Sequence, residues 1–337
     1  MKTGRISESI LKRSVLRQIK THREEVLKGA GVGEDCAFFS WDQSVLAVST
    51  ETIALPVRMA PELAVLAAVN NLAAGGSKPF AVTVAITLPA ECEEAGLKEI
   101  MSRLEKRCKE LCVEISGGHT EVSPAVNTPI ISVTAFGKKS VGMIQKPEEQ
   151  KEYAPAEKKK SFDIVMSKWI GLEGTVILAE EKKEDLLGRY PQNILLVAQN
   201  FKQYLSVLPE AALAEESDVY MMHDMRNGGI FGALWEISRR MGVGLTIDLK
   251  KIPIRQETIE ICEFFELNPY ELLSGGGLLM LTENGKALVK KLEEAGISAA
   301  VIGSTNNSNN KTVINEEETR YLEPPVPDEI YKVFYKA

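Results

Sequence analysis

The chain has 337 residues, 44% of them apolar and 26% charged, and a net charge of −7. That length admits two domains with cores of their own, and the composition excludes wholesale disorder. Lys and Arg are spread without a basic patch, which argues against a nucleic-acid partner, although local amide nests can still hold an anionic nucleotide.

The opening MKTGRISESILKRSVLRQIK contains no apolar stretch of the signal-peptide kind, and no apolar run reaches membrane-spanning length. The cysteines, Cys36, Cys92, Cys108, Cys112 and Cys262, are odd in number and show no CxxC spacing. The expectation is therefore reduced thiols, a cytoplasmic location and no membrane partner. Cys108 and Cys112 lie four apart on one helix and read as small buried residues.

Pro61 opens a helix, where its missing N–H costs nothing, and Gly75-Gly76 stops it. Phe80–Leu88 places Phe80, Val82, Val84, Ile86 and Leu88 at every second position, the period of a strand. Leu97, Ile100, Met101, Leu104, Cys108 and Leu111 then recur every three or four residues among charged ones, as in an amphipathic helix. Pro129–Gly137 reads as a returning strand. Between Gly142 and Ser161 the chain turns Pro-containing, charged and poor in apolar residues, which marks a connector. The boundary near it predicts an N-terminal domain over 1–150 and a C-terminal domain over 151–337.

The second half begins with a strand at Asp163–Ser167. Ile230–Met241 has helical spacing and is opened by Gly228-Gly229. Gly244–Leu249, Gly277–Thr282 and Ser298–Gly303 read as strands, with a charged helix at Asn284–Ala295 between the last two. Strand–helix–strand order in both halves indicates α/β or α+β layers. Ser304–Asn310 (STNNSNN) reads as an inert surface turn.

Four first-half segments, all read as loops, combine small residues with cation-coordinating groups: Gly31–Ala37 (GVGEDCA), Ser49–Thr52 (STET), Asn70–Gly76 (NNLAAGG) and Gly117–Ser123 (GGHTEVS). Glycines let amides approach phosphate oxygens, and hard oxygen ligands recruit Mg²⁺. Taken singly, each segment has a bland reading: a tight turn before a strand at GVGEDCA, a solvated acid at Glu51, a helix-surface residue at Asn71, a turn residue at His119.

Taken in order, with HDMRNGG (His223–Gly229) and SGGGLL (Ser274–Leu279) behind them, these segments resemble the PurM/HypE superfamily. It includes aminoimidazole ribonucleotide synthetase, selenophosphate synthetase, thiamine monophosphate kinase and HypE. The resemblance covers nearly the whole chain. It implies a two-domain PurM-like α/β (α+β) fold, the N-terminal domain forming a dimeric barrel and the C-terminal domain an α/β sandwich. It also implies a homodimer that binds ATP and Mg²⁺ and activates or phosphorylates a small molecule.

On the matching positions, the resemblance implies nucleotide contacts from Gly31, Gly33, Asp35, Thr50, Asn70, Gly117, Gly118, Thr120, Gly228 and Gly229. The implied metal ligands are Asp35, Glu51, Asn71 and Glu121, and the catalytic candidates are His119 and Asp224. Two family carboxylates are replaced, by Asn71 and His119, which weakens attraction for a divalent cation. Asp224 reads equally as a helix cap. No cysteine follows Cys262, so a HypE reaction on a C-terminal carrier thiol is not expected. The alternatives are a non-catalytic nucleotide or anion sensor acting as an interaction module, and a hydrogenase-maturation-like factor served by a carrier thiol in trans.

Overall fold

The structure, a computed structural model, describes residues 4, 6–42, 44–140 and 160–335. The connector expected between Gly142 and Ser161 lies almost entirely outside the described residues. The chain forms a two-domain mixed α/β fold with two sheets. One compact unit takes in Arg23–Gly29 and the described residues from Asp35 to 140. The other takes in the chain up to His22, Ala30–Glu34 and the described residues from 160 onward. The N-terminal residues thus pack with the second half of the chain, which no local pattern announces.

The first unit is a six-stranded sheet of β1 (Val26–Lys28), β2 (Ala37–Trp41), β3 (Ser44–Ile53), β4 (Lys78–Leu88), β5 (Glu114–Val122) and β6 (Ile130–Ser140), in the order β1-β2-β3-β6-β4-β5. Only β4 and β5 pair in parallel. Helices α1 (Ala60–Ala74) and α2 (Glu94–Glu110) are the expected pair. All of α1 except Glu62 is buried, because it lies between the sheet and α2 and presents Ala on most sides. In α2 only Leu104 and Cys108 are fully buried, so its apolar stripe is narrower than its spacing predicts. Burial pushes the Cys108 thiol up to about 11, as expected of a small core residue.

In β4 the alternation holds for Val82, Val84, Ile86 and Leu88, which are buried. Phe80 departs from it at 42% exposure, because the register shift between Pro79 and Ala81 breaks the pleat at this residue. Two segments read as loops prove to be strand: Ser49–Thr52 lies inside β3, and Gly117–Val122 inside β5. Gly118 needs to be glycine, since a Cβ there would lie 1.8 Å from the Val84 carbonyl oxygen.

The second unit carries a seven-stranded sheet: β7 (Asp163–Ser167), β8 (Val219–Met225), β9 (Gly244–Asp248), β10 (Gly277–Thr282), β11 (Ala299–Asn306), β12 (Lys311–Asn315) and β13 (Glu318–Tyr321). Its order is β13-β12-β9-β11-β7-β10-β8, with β12–β9 the parallel pair. Its helices of eight residues or more are α3 (Leu172–Glu181), α4 (Gln192–Asn200), α5 (Leu208–Glu215), α6 (Gly229–Met241), α7 (Gln256–Phe264) and α8 (Gly285–Glu294). The α6 stripe of Ile230, Leu234, Ile237 and Met241 enters the core beside Leu279, Leu281 and Leu245. No helix among the described residues is long and apolar enough to cross a membrane.

Leu234 is fully buried in this cluster. Leu234→Ala is expected to cost about 2–5 kcal/mol, because the surroundings relax only partly around the cavity. Urea unfolding monitored by circular dichroism measures it, and a loss below about 1 kcal/mol would contradict the packing described.

Candidate functional site

Along β3, Val45, Ala47, Ser49, Glu51 and Ile53 point one way, towards α1, while Thr50 and Thr52 point the other. Asn71, in the last turn of α1, reaches the first row. Its Nδ2 donates to Ser49 Oγ at 3.0 Å and to Glu51 Oε1 at 2.9 Å. Ser49 Oγ in turn donates to the Asp35 main-chain carbonyl at 3.0 Å. Asp35, Ser49, Glu51 and Asn71 therefore form one hydrogen-bonded group at the β3–α1 junction, with Asn70 buried in the same helical turn.

The hydrogen bonds settle how Asn71 is oriented. Ser49 spends its proton on a carbonyl and a carboxylate has none, so both can only accept from the amide. Asn71 thus turns its N–H, not its oxygen, towards Glu51.

Other positions fall elsewhere in this unit. Thr50 lies on the opposite sheet face, 2.9 Å from the Thr134 hydroxyl. His119 pairs with Ala85, Ala85 with Ser132 and Ser132 with Thr52, so His119 shares the Thr52 face, not the Glu51 face. Glu121 stands two residues on, with its carboxylate 3.5 Å from His119 Nε2, and both side chains are more than half exposed. Gly117, Gly118 and Thr120 belong to the same exposed strand. The side chains of Glu51 and Asn71 come together, joined through Ser49 to the main-chain carbonyl of Asp35; His119 and Glu121 form a separate pair.

In the second unit, His223 and Asp224 end β8, where sequence spacing places a helix opening, and both are buried. His223 Nε2 lies 3.0 Å from Glu236 Oε2 of α6. Gly33, at φ +73°, packs onto the same helix, and a Cβ there would stand 2.8 Å from the Glu236 carbonyl oxygen. Packing therefore requires glycine at 33 whatever ligand the turn serves. Glu34 beside it sits 3.4 Å from Arg240, whereas Gly31 has only the Glu34 side chain close by.

Gly228, at φ +77°, starts α6, and its N–H donates to Asp328 Oδ2 at 2.7 Å. Gly229 follows at φ +59°, with the Tyr270 carbonyl oxygen 2.4 Å from where its Cβ would be. Asp328 Oδ1 accepts from Leu273 at 3.2 Å and from Ile330 at 3.0 Å. The anion that Gly228 holds here is the chain's own carboxylate. Arg226, two residues earlier, is paired with buried Glu173 at 3.0 Å. Glu236, Asp328, Glu173 and Ser49 escape sequence reasoning. The first three act through residues distant in the chain, and Ser49 is a common residue in a strand; the only local hint is the Pro327-Asp328 pair, a turn-initiating sequence.

Burial pushes the Asp328 carboxyl up to about 7 despite three N–H donors that favour its charge. The folded chain then holds a proton that the unfolded chain releases near its ordinary value of 3.8. Stability from this group is full below that value and is lost as pH rises through about 7. Between pH 5 and 8 the unfolding free energy should fall by a few kcal/mol more in the unmutated chain than in Asp328→Asn. Urea titrations across pH test this, and parallel profiles would rule it out.

Comparison with known proteins places these features. Residues 33–138 match the model for the AIR synthase related protein, N-terminal domain, and residues 164–315 the model for its C-terminal domain. A putative hydrogenase expression/formation protein of Methanocaldococcus jannaschii is 27% identical over 80% of this chain and 78% of its own. Carbamoyl dehydratase HypE of Rhodobacter capsulatus is 25% identical over 72% of this chain and 68% of its own. Among solved structures, HypE in complex with ATP aligns with a TM-score of 0.67 at 19% identity, covering 98% of this chain and 97% of that one.

Proposed function

Because the chain belongs to the AIR synthase-related family through both of its domains, we propose that it binds ATP with Mg²⁺ and activates or phosphorylates a small molecule. One observation carries this reading: the side chains of Ser49, Glu51 and Asn71 meet in a single hydrogen-bonded group that is tied to the main-chain carbonyl of Asp35. The ATP complex of a fold relative supports it.

The donor set fits a cation delivered on the nucleotide better than one caged by protein. Mg²⁺ favours oxygen ligands and commonly keeps one or two carboxylates plus substrate phosphates and water. Asp35 and Glu51 supply carboxylates of that kind, while Asn71 turns a donor inward and acts as the clamp that orients Glu51. Bound Mg²⁺ would neutralise phosphate charge. In this chain's own steps, Glu51 and Asp35 would hold the nucleotide's cation with Asn70 beside them, while the nucleotide contacts of Gly31 and Gly33 and the acid–base role of Asp224 rest on the family resemblance.

The homodimer is proposed on the exposed sheet face of the first unit, where Thr50–Thr134 and Thr52–Ser132 hydroxyl pairs at 2.9 and 2.8 Å lie uncovered beside Phe80 and Ala85. The His119–Glu121 pair shares that face, so any catalytic role for His119 and any cation ligation by Glu121 would be exercised there. A second reading, a nucleotide sensor without turnover, draws on the same Asn71 amide, which replaces charge by a neutral donor. Maturation chemistry with a carrier thiol in trans draws on the names of the relatives.

Calorimetric titration should show Mg²⁺-ATP binding to the unmutated chain, weakened about tenfold or more, some 1.4 kcal/mol, in Asp35→Ala. No binding to the unmutated chain removes the proposal. ADP release with a metabolite mixture separates the enzyme from the sensor. Asn71→Asp would set two carboxylates at the present 2.9 Å spacing. It should destabilise the metal-free chain by about 1–3 kcal/mol. Added Mg²⁺ should raise its melting temperature more than that of the unmutated chain; equal shifts would exclude cation binding at this group.

A further inference from the structure

The C-terminal end of α6 carries Arg239 and Arg240 in its last turn. The helix has 13 residues and so spans about 20 Å from Gly229 to Met241. At its far end lies an open cavity of about 380 Å³, lined by Ser238, Arg239, Gly242, Val243, Asn309 and Lys311.

Its walls are held from behind. The α6 end closes on glycine at φ +62°, with Gly242 and Val243 both donating to the Ser238 carbonyl. Ser238 Oγ donates to the Val243 carbonyl at 2.5 Å. Opposite stands the Asn306–Asn310 turn, expected from sequence to be inert. Asn306 Nδ2 bonds Thr246 Oγ1 at 3.0 Å, the Ser308 N–H donates to Asn306 Oδ1 at 3.0 Å, and the Asn310 N–H to Ser308 Oγ at 3.0 Å. The turn also folds tightly over Gly244, where a Cβ would come within 2.5 Å of the Asn310 carbonyl oxygen. Asn309 is therefore presented by a turn that is already ordered.

The charge around this cavity is unbalanced. Arg239 bonds Glu8 through Nε at 3.0 Å and Nη2 at 2.9 Å, and the same carboxylate also takes Lys12 and the Trp235 indole N–H. Lys311 lies 4.8 Å above the Trp235 ring and makes no ion pair among the described residues. Three cations thus face one carboxylate in a chain of net charge −7. Burial first, and then the Arg239 charge, hold the Lys311 amine below its ordinary range, while Glu8 opposes them. Lys311 and Arg239 repel one another, and Glu8, already bound by Arg239 and Lys12, is the carboxylate that offsets them.

We propose that this cavity binds a small dianion of the phosphate-ester kind, seated between Lys311 and Arg239 with Asn309 as a further donor. A cavity at the lower end of ligand-site volumes suits a small phosphorylated metabolite, not a macromolecule. Cations near a helix C-terminus also complement its dipole, but that needs no cavity and no ordered donor turn.

The experiment uses pyrophosphate as the probe, with the full chain in EDTA so that divalent cations play no part, read by calorimetry at low and high salt. The unmutated chain should bind it, more weakly as salt rises. Lys311→Gln should weaken binding about tenfold, Lys311→Arg should retain it, and Asp35→Ala should leave it unchanged. Circular dichroism confirms that each variant is folded, and Arg239→Gln serves as a second site variant. Equal affinity in the unmutated chain, Lys311→Gln and Arg239→Gln would overturn the proposal and leave only dipole compensation. So would no binding at all. Loss in Asp35→Ala would move the anion to the first unit and overturn it too.

Discussion

The amide of Asn71 is the constraint on which the first unit's candidate site depends. It is buried at the end of a helix with almost no exposed surface, and its Nδ2, which carries two hydrogens, donates to both Ser49 and Glu51. Leaving a buried donor unpaired costs about 1–3 kcal/mol, so the amide holds Ser49 and Glu51 to one geometry. Through Ser49 that geometry extends to the Asp35 carbonyl. The same contact limits what the site can coordinate. An oxygen in this place would add to the attraction for a divalent cation, whereas a donor leaves that attraction to the carboxylates alone.

The second unit buries more charge, and Lys168, Arg226 and Asp328 each meet partners within it. Lys168 bonds the carbonyls of Tyr204, Ser206 and Gly276 and pairs with Glu210 at 2.5 Å. Desolvation lowers its basicity against the pull of Glu210. Arg226 answers Glu173, and Asp328 is met by three backbone N–H groups. Removing one member of such a set strands the other, which is far more costly than the net gain from forming it. Charge here fixes how loops lie on the sheet, including the segment around Asp328 that closes on the start of α6.

Elements whose pattern repeats along several residues were legible in the sequence: α1 between Pro61 and Gly75, the buried row Val82–Leu88, the α6 stripe and strands β7, β9, β10 and β11 of the second sheet, whereas β8, β12 and β13 were not. Both domains of the family were legible too, because their signature segments recur in order. What failed has a common cause. GGHTEVS looks like a turn because paired glycines usually break strands, yet here Gly118 lets β5 approach β4 more closely than a side chain permits. Once that segment is strand, the period of two puts His119 and Glu121 on one face together, and neighbouring strands carry that face to Thr52, not to Glu51. Nor could Asp328, about 100 residues from Gly228, be matched to its partner by spacing.

Helix α6 ties these threads together, because its two ends differ in kind. The start carries buried amide dipoles in need of a partner, and the Asp328 carboxyl supplies it from within the chain. The finish carries carbonyl dipoles that attract cations, and Arg239, Arg240 and Lys311 gather there. Dipole compensation at both ends explains the signs of these charges. It does not explain the surplus at the second end, where Lys311 stands over an indole ring and is pushed away by Arg239. A helix terminus offers about half a unit of charge, already shared with the Gly242 and Val243 amides that cap it. Further cations beside an already capped end therefore raise the electrostatic energy of the folded chain, and an anion from solution is the simplest thing that lowers it.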